Sequence, residues 1–229
     1  MKKLVVMVAL ALVLAGPAFA GDVATLVNLG FSPDSAYFMF GFYGMDPGAG
    51  KPYAEIYVVD NKKNDFVPAG TFRGLYAVDL EPGWNPAGAF FKLFAESAAV
   101  ARKYRIDHLS QGRLVYLSMD GADAPDALSF KDFKTAAQWD VTLKQTVEEK
   151  AGVFTSSFGL DLVITGTDGK KVSVTAGNPQ IKRKGVADYS ISQILVAPDG
   201  KTVVVLVERL EKGATGSAIR WMVETFRLP

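Results

Sequence analysis

Two stretches of this chain carry the same plan, and the repetition limits the possible folds more than any other feature. Leu29–Asp60 reads LGFSPDSAYFMFGFYGMDPGAGKPYAEIYVVD, and Ile194–Thr225 reads ILVAPDGKTVVVLVERLEKGATGSAIRWMVET. They align without a gap at an offset of 165, which puts Pro33-Asp34 on Pro198-Asp199 and Val58 on Val223. Few residues are identical, but the apolar runs, the turn and the loop length match. Pro sets φ at the corner, and Asp followed by Ser or Gly makes a tight reversal. Each stretch therefore predicts a three-stranded antiparallel unit. Gly48 and Gly50 in the first, and Gly213 and Gly216 in the second, fall in equivalent connections. Paired loops at one rim would make a binding surface.

Periodicity fills in the rest. From Val23 to Phe31, apolar residues occur on both phases of a period-two pattern, which predicts a strand covered on both faces. Tyr37–Tyr43, YFMFGFY, reads as a buried central strand. Beyond a break at Pro82–Pro86, Phe90, Leu93, Phe94, Ser97, Ala98, Ala101 and Tyr104 recur at helical spacing, with Lys92, Glu96 and Lys103 opposite. This predicts an amphipathic helix over about Pro86–Tyr104, with Asn85 as its N-cap and Phe90 and Phe94 against a sheet. Strands follow at Arg113–Met119, at Ala127–Phe133 and around Trp139–Leu143, the last with one wet face. Leu160–Ile164 and Val172–Val174 flank Asp168-Gly169, which predicts a hairpin closed by a two-residue primed turn. No low-complexity linker divides the chain. The expected fold is mainly β and antiparallel, with blade-like hairpin units and one amphipathic helix packed on the sheet, in a single domain over residues 21–229.

The N-terminus is set aside from the fold. Lys2 and Lys3 precede 11 apolar residues, Leu4 to Leu14; Gly16-Pro17 break the run, and Ala18-Phe19-Ala20 supplies a small-x-small cleavage pattern before Gly21. A membrane-spanning helix needs roughly 20 apolar residues, so residues 1–20 read as a signal peptide. Cleavage after Ala20 leaves 209 of the 229 residues, enough for a substantial core. The protein is expected to be exported through the inner membrane, to the periplasm or beyond, without an integral membrane segment. The mature chain carries 23 basic and 24 acidic residues, which gives no electrostatic reason for a nucleic-acid partner. With no cysteine, disulfides, Cys-built zinc sites, thiolate nucleophiles and lipid attachment at the cleavage site are excluded.

Phe31-Ser32-Pro33-Asp34 followed by Ala54–Asp60, and Val196-Ala197-Pro198-Asp199-Gly200-Lys201, resemble blades of the TolB-type β-propeller family. A propeller implies further copies at roughly 40-residue periods. No matching Pro-Asp turn stands near positions 73, 114 or 155, so the expectation is two blade-like units within a mixed antiparallel fold. Taken whole, the chain resembles a family of predicted secreted bacterial proteins with no assigned function. Asn28–Asp34, Tyr53–Asp60 and Ile106–Arg113 (IDHLSQGR), together with the signal peptide, carry that likeness. The resemblance implies export and supplies no catalytic residues.

Residue types argue against catalysis. His108, beside Asp107 and Ser110, is the only histidine, and it reads as a helix-exit residue that caps or hydrogen-bonds. No Gly-x-Ser-x-Gly elbow, Ser-x-x-Lys pair or phosphate loop is present. The acidic loop Asp120–Asp126 does not fit the EF-hand spacing for calcium and reads as a solvated turn. Lys182-Arg183-Lys184 reads as a solvated basic face. No cofactor is implied. The expected function is a non-catalytic binding or interaction module of the cell envelope, with an unknown protein or small molecule as partner. A carboxylate-based hydrolase and a small-ligand carrier stand as alternatives, since neither needs cysteine or a second histidine.

Overall fold

The computed structural model describes residues 21–81, 83–119, 125–213 and 216–229. The signal peptide predicted from the sequence, with Ala18 and Ala20, lies outside the described residues, as does Asp120–Ala124 of the acidic loop.

Runs that are apolar on both phases need cover on both sides, and the chain supplies it by stacking three sheets. The strands are β1 (Asp22–Val23), β2 (Thr25–Phe31), β3 (Tyr37–Asp46), β4 (Lys51–Asp60), β5 (Asp65–Leu75), β6 (Arg113–Leu117) and β7 (Ala127–Lys131). They continue as β8 (Gln138–Lys150), β9 (Val153–Thr165), β10 (Lys171–Gly177), β11 (Arg183–Lys184), β12 (Val186–Val196), β13 (Thr202–Gly213) and β14 (Gly216–Arg227). A single helix among the described residues, α1 (Ala87–Lys103), joins β5 to β6. The first sheet has the order β2-β3-β4-β5 and the central sheet β1-β14-β13-β12-β6; the third is β10-β9-β8-β7, with β11 on β9. Every strand pair is antiparallel except β1 with β14.

β13 shows the logic most clearly. Val203, Val205 and Val207 face the third sheet, packing among Trp139, Val141, Phe158, Leu160 and Leu162. Val204 and Leu206 face the first sheet, among Phe31, Phe38, Phe40, Phe42 and Tyr57. All five β13 side chains are fully buried. Each is worth roughly 1.5–3 kcal/mol of burial. On the aromatic side, Phe31 lies 4.6 Å from Phe38 and Phe40 lies 5.4 Å from Tyr57, centroid to centroid. The outer face of the first sheet (Met39, Ala54, Ile56, Val58) is covered by α1 through Ala89, Phe90, Leu93 and Ala101. The helix thus lies where its periodicity puts it, with Phe90 buried. Its first residue is Ala87, and Asn85 Oδ1 accepts the Ala87 N–H at 2.9 Å from one position before Pro86.

The repeat is real at the level of strands. Shifting β2, β3 and β4 by 165 lands them within β12, β13 and β14. Ser35 and Gly200 occupy the same corner at φ 56° and 71°. The corners touch: the Asp199 N–H donates to Ser35 Oγ at 3.2 Å. Loop length does not match as expected. Asp46 pairs with Lys51 across a four-residue loop, whereas Gly213 pairs with Gly216. The shorter connection slides β14 by two residues, so Thr202 faces Arg227 where Tyr37 faces Asp60. Side chains alternate with period two, so an even slip keeps every buried face buried.

The repeated units sit within an antiparallel fold and form no propeller, in line with the missing Pro-Asp turns near positions 73, 114 and 155. The units lie face to face, and α1 caps the outer face of the first sheet, so the stack is open-ended and does not close into a ring. The Asp168-Gly169 hairpin is not a two-residue turn. The Gly166 N–H donates to Lys170 O at 2.8 Å, the Gly169 N–H to Gly166 O at 2.9 Å, and only Gly169 has positive φ (79°). This is the three-residue loop with one left-handed position, which needs glycine once where the primed turn needs positive φ twice.

A buried ion pair ties the third sheet to the central one. Asp132, 2% exposed after β7, accepts both guanidinium nitrogens of Arg113 on β6, the Thr135 hydroxyl and the Lys134 N–H. Burial works to raise its carboxyl, but these hydrogen bonds outweigh burial and hold it at about 2. A carboxyl depressed in the folded state stabilises fully above its unfolded value near ~3.9, and that share is lost as pH falls toward 2. We expect wild type to lose about 2 kcal/mol more than Asp132→Asn between pH 5 and pH 2. Urea midpoints of both proteins across that range check it, and parallel curves would refute it.

Candidate functional site

The two hairpin ends of the repeat meet at one rim, and the N-terminal strand helps to hold them. β1 crosses from the central sheet toward the first: it pairs with β14, then the chain enters β2. Asp22 on β1 is thereby sunk beside Arg220 on β14, with Nη1 to Oδ2 2.6 Å and both side chains about one-tenth exposed. The same carboxylate accepts the Tyr53 hydroxyl at 2.8 Å and the Met45 N–H at 3.0 Å. The guanidinium lies 4.4 Å above the Tyr53 ring. Burial raises the Tyr53 phenol well above its ordinary value, so it stays a donor to Asp22.

Arg220 separates two open clefts of about 360 Å³ each. One is lined by Asp46, Gly48, Lys184, Lys212, Gly213 and Gly216. Three of the four loop glycines singled out from the sequence are therefore together. Gly50 is not among that cleft's walls; it closes the β3–β4 loop, its N–H donating to Asp46 O at 2.8 Å. Asp46 Oδ1 holds that loop by accepting the Gly48 and Ala49 N–H groups. Glu211, also on the wall, is paired with Arg209 at 2.9 Å. Lys184 forms no ion pair among the described residues, and Lys212 lies over the Phe154 ring at 5.3 Å. The cleft thus offers cations and backbone where its acids are already engaged. The second cleft is lined by Tyr53, Glu55, Arg73 and Leu75. There Glu55 and Arg73 face each other across β4 and β5 at 3.3 Å, and both contact the Tyr57 hydroxyl.

The other sequence candidates fall elsewhere. His108 Nδ1 is 2.7 Å from Leu29 O, and its ring stands edge-on to Phe94 at 5.1 Å, a hydrogen-bonding role in the strap after α1. In the basic run, Lys182 pairs with Glu148 at 3.2 Å and Arg183 covers the Phe158 ring at 5.2 Å, so only Lys184 reaches the cleft. Asp126, the described end of the acidic loop, is met by Gln145. A raised carboxyl would be the mark of a hydrolase acid. Burial raises Glu224, but it is held by Asn64 and the Gly177 N–H in the seam between all three sheets, with Arg183 as its neighbouring charge. The Asp22–Arg220 pair was not found from the sequence. Its one signal was a cation inside the apolar run Ala218–Val223, and its partner lies 198 residues away.

Among the described residues no helix is long and apolar enough to cross a membrane. No curated protein matches the chain. A family model does, over residues 39–227, which takes in most of β3 and everything from β4 to β14, with α1 and the strap that holds His108. The family's description agrees with the export that the N-terminal segment predicts. The chain belongs to the family described as Predicted secreted protein (DUF2259).

Proposed function

We propose that this protein is a non-catalytic binding module of the cell envelope, and that it engages its partner through the rim cleft of Gly48, Lys184, Gly213, Gly216 and Arg220. The observation that carries the reading is the convergence of the two repeat-unit hairpin ends on one open cleft. Its floor is held rigid by a buried ion pair, while its walls present an unpaired lysine and exposed loop backbone. Binding residues on loops held by a rigid scaffold are the common arrangement for recognition.

Crosslinking the tagged mature chain in its own envelope, with mass-spectrometric identification, tests it. One partner should be recovered reproducibly from wild type and lost when Lys184→Glu is combined with replacement of Gly48–Gly50. A partner retained by that variant, or none from wild type, would overturn the reading.

A further inference from the structure

Beside the first turn of α1 lies a pocket that shares no residue with the rim cleft. The connector leaving β5 turns back over β4, its Tyr76 N–H donating to Pro52 O at 3.0 Å, and runs beside the first turn of α1. Between connector and helix is an apolar pocket of about 200 Å³, walled by Tyr76, Val78, Leu80, Pro86, Gly88 and Ala89. Of the polar groups around it, Lys51 pairs with Asp79 and Asn85 Oδ1 is taken by the Ala87 N–H, while the buried Tyr76 hydroxyl has no hydrogen-bond partner among the described residues. The Tyr76 hydroxyl is turned back against Gly74, so the pocket receives its ring. Lys92 is the only charged residue among the walls. Its ammonium sits 4.8 Å over the Tyr76 ring and forms no ion pair among the described residues. Just outside, Trp84 and Phe91 are exposed at 59% and 68%, and Phe91 lies one helical turn beyond Gly88.

From this geometry we infer a binding site for a small amphipathic anion, an apolar ring or short chain bearing one carboxylate. Size sets the apolar part. A dry cavity of about 150 Å³ accepts a benzene ring, so this pocket takes one ring and not a lipid tail. Charge sets the head. A carboxylate at the mouth meets an unpaired ammonium already oriented by an aromatic face, while carbon walls exclude a second polar group. Exposed large apolar side chains beside such a pocket are the kind of surface that marks a ligand site.

Gly88 makes the inference testable. Gly88 lines the pocket and a Cβ built there meets nothing within 4 Å, so a larger side chain at this wall brings no clash. A helical side chain leans toward the N-terminus, here toward Asn85 on the pocket wall, and leucine favours the helix over glycine. Gly88→Leu should therefore plug the pocket and leave the fold intact. The probe is 3-phenylpropionate, titrated into the mature chain and followed by methyl NMR. Saturable one-to-one binding that shifts Val78 and Leu80 is expected. Gly88→Leu should weaken it about tenfold or more, and Lys92→Gln by about threefold to tenfold. Neutral 3-phenylpropanol should bind about as weakly to wild type as the acid binds to Lys92→Gln. No saturable binding, or binding indifferent to Gly88→Leu, overturns the site. Equal affinity for acid and alcohol overturns the anionic class.

Discussion

Arg220→Ala is expected to destabilise the mature chain by about 3–5 kcal/mol, because it strands the Asp22 carboxylate in a site only one-tenth exposed. Asp22→Ala should cost a similar amount, since it strands the guanidinium instead. The mechanism makes a further demand. Removing both charges, as Asp22→Ala with Arg220→Met, should cost clearly less than the two single losses added together, because no charge is left buried. At roughly 2–4 °C per kcal/mol for a chain of this size, each single variant should melt about 10 °C lower. Urea unfolding of all four proteins measures it. Single losses under about 1 kcal/mol would mean that water reaches the pair, and the rim cleft would then lack a rigid floor.

Gly30→Ala should cost roughly 3 kcal/mol or more, for two reasons that act together. Gly30 has φ +98°, where a Cβ is strained, and that Cβ would clash with the Asp107 carbonyl oxygen. The clash lies in the strap after α1, which is laced to the first sheet. The Phe31 N–H donates to Ser110 O at 2.8 Å, the Asp107 N–H to Phe31 O at 2.9 Å, and Asn28 Nδ2 to Gln111 O at 2.8 Å. Arg105 adds a pair with Asp34 at 3.0 Å. Global unfolding should therefore become easier, and hydrogen exchange at the Phe31 and Asp107 amides should accelerate most. A stable Gly30→Ala protein with unchanged protection there would refute the account. The strap brings Asn28–Asp34 and Ile106–Arg113, distant in sequence, into one contact.

Much of this was legible in the chain. The repeated apolar runs and the Pro-Asp corners located β2, β3, β4, β12, β13 and β14, and helical spacing located α1 to within two residues at each end. Apolar residues on both phases announced that β3 would be covered twice. Turn details were less legible. Asp-Gly suits both a primed turn and a three-residue loop, and hydrogen bonds at Gly166 decided between them. The β13–β14 slip was hidden because an even shift leaves the hydrophobic pattern unchanged.

Local chemistry, read along the chain, determined the repeated three-stranded units, the helix, the loop glycines and the poverty of catalytic residue types. Each follows from neighbours a few positions apart, where φ preference and period-two or helical spacing act. Only the tertiary structure decided how the units sit: face to face under a capping helix, with three of four loop glycines at one cleft. It alone paired Asp22 with Arg220 across 198 positions and left a pocket under the connector beside Lys92. Such contacts depend on which faces of separate sheets meet, and sequence periodicity tells a strand that it has a buried face without naming what covers it.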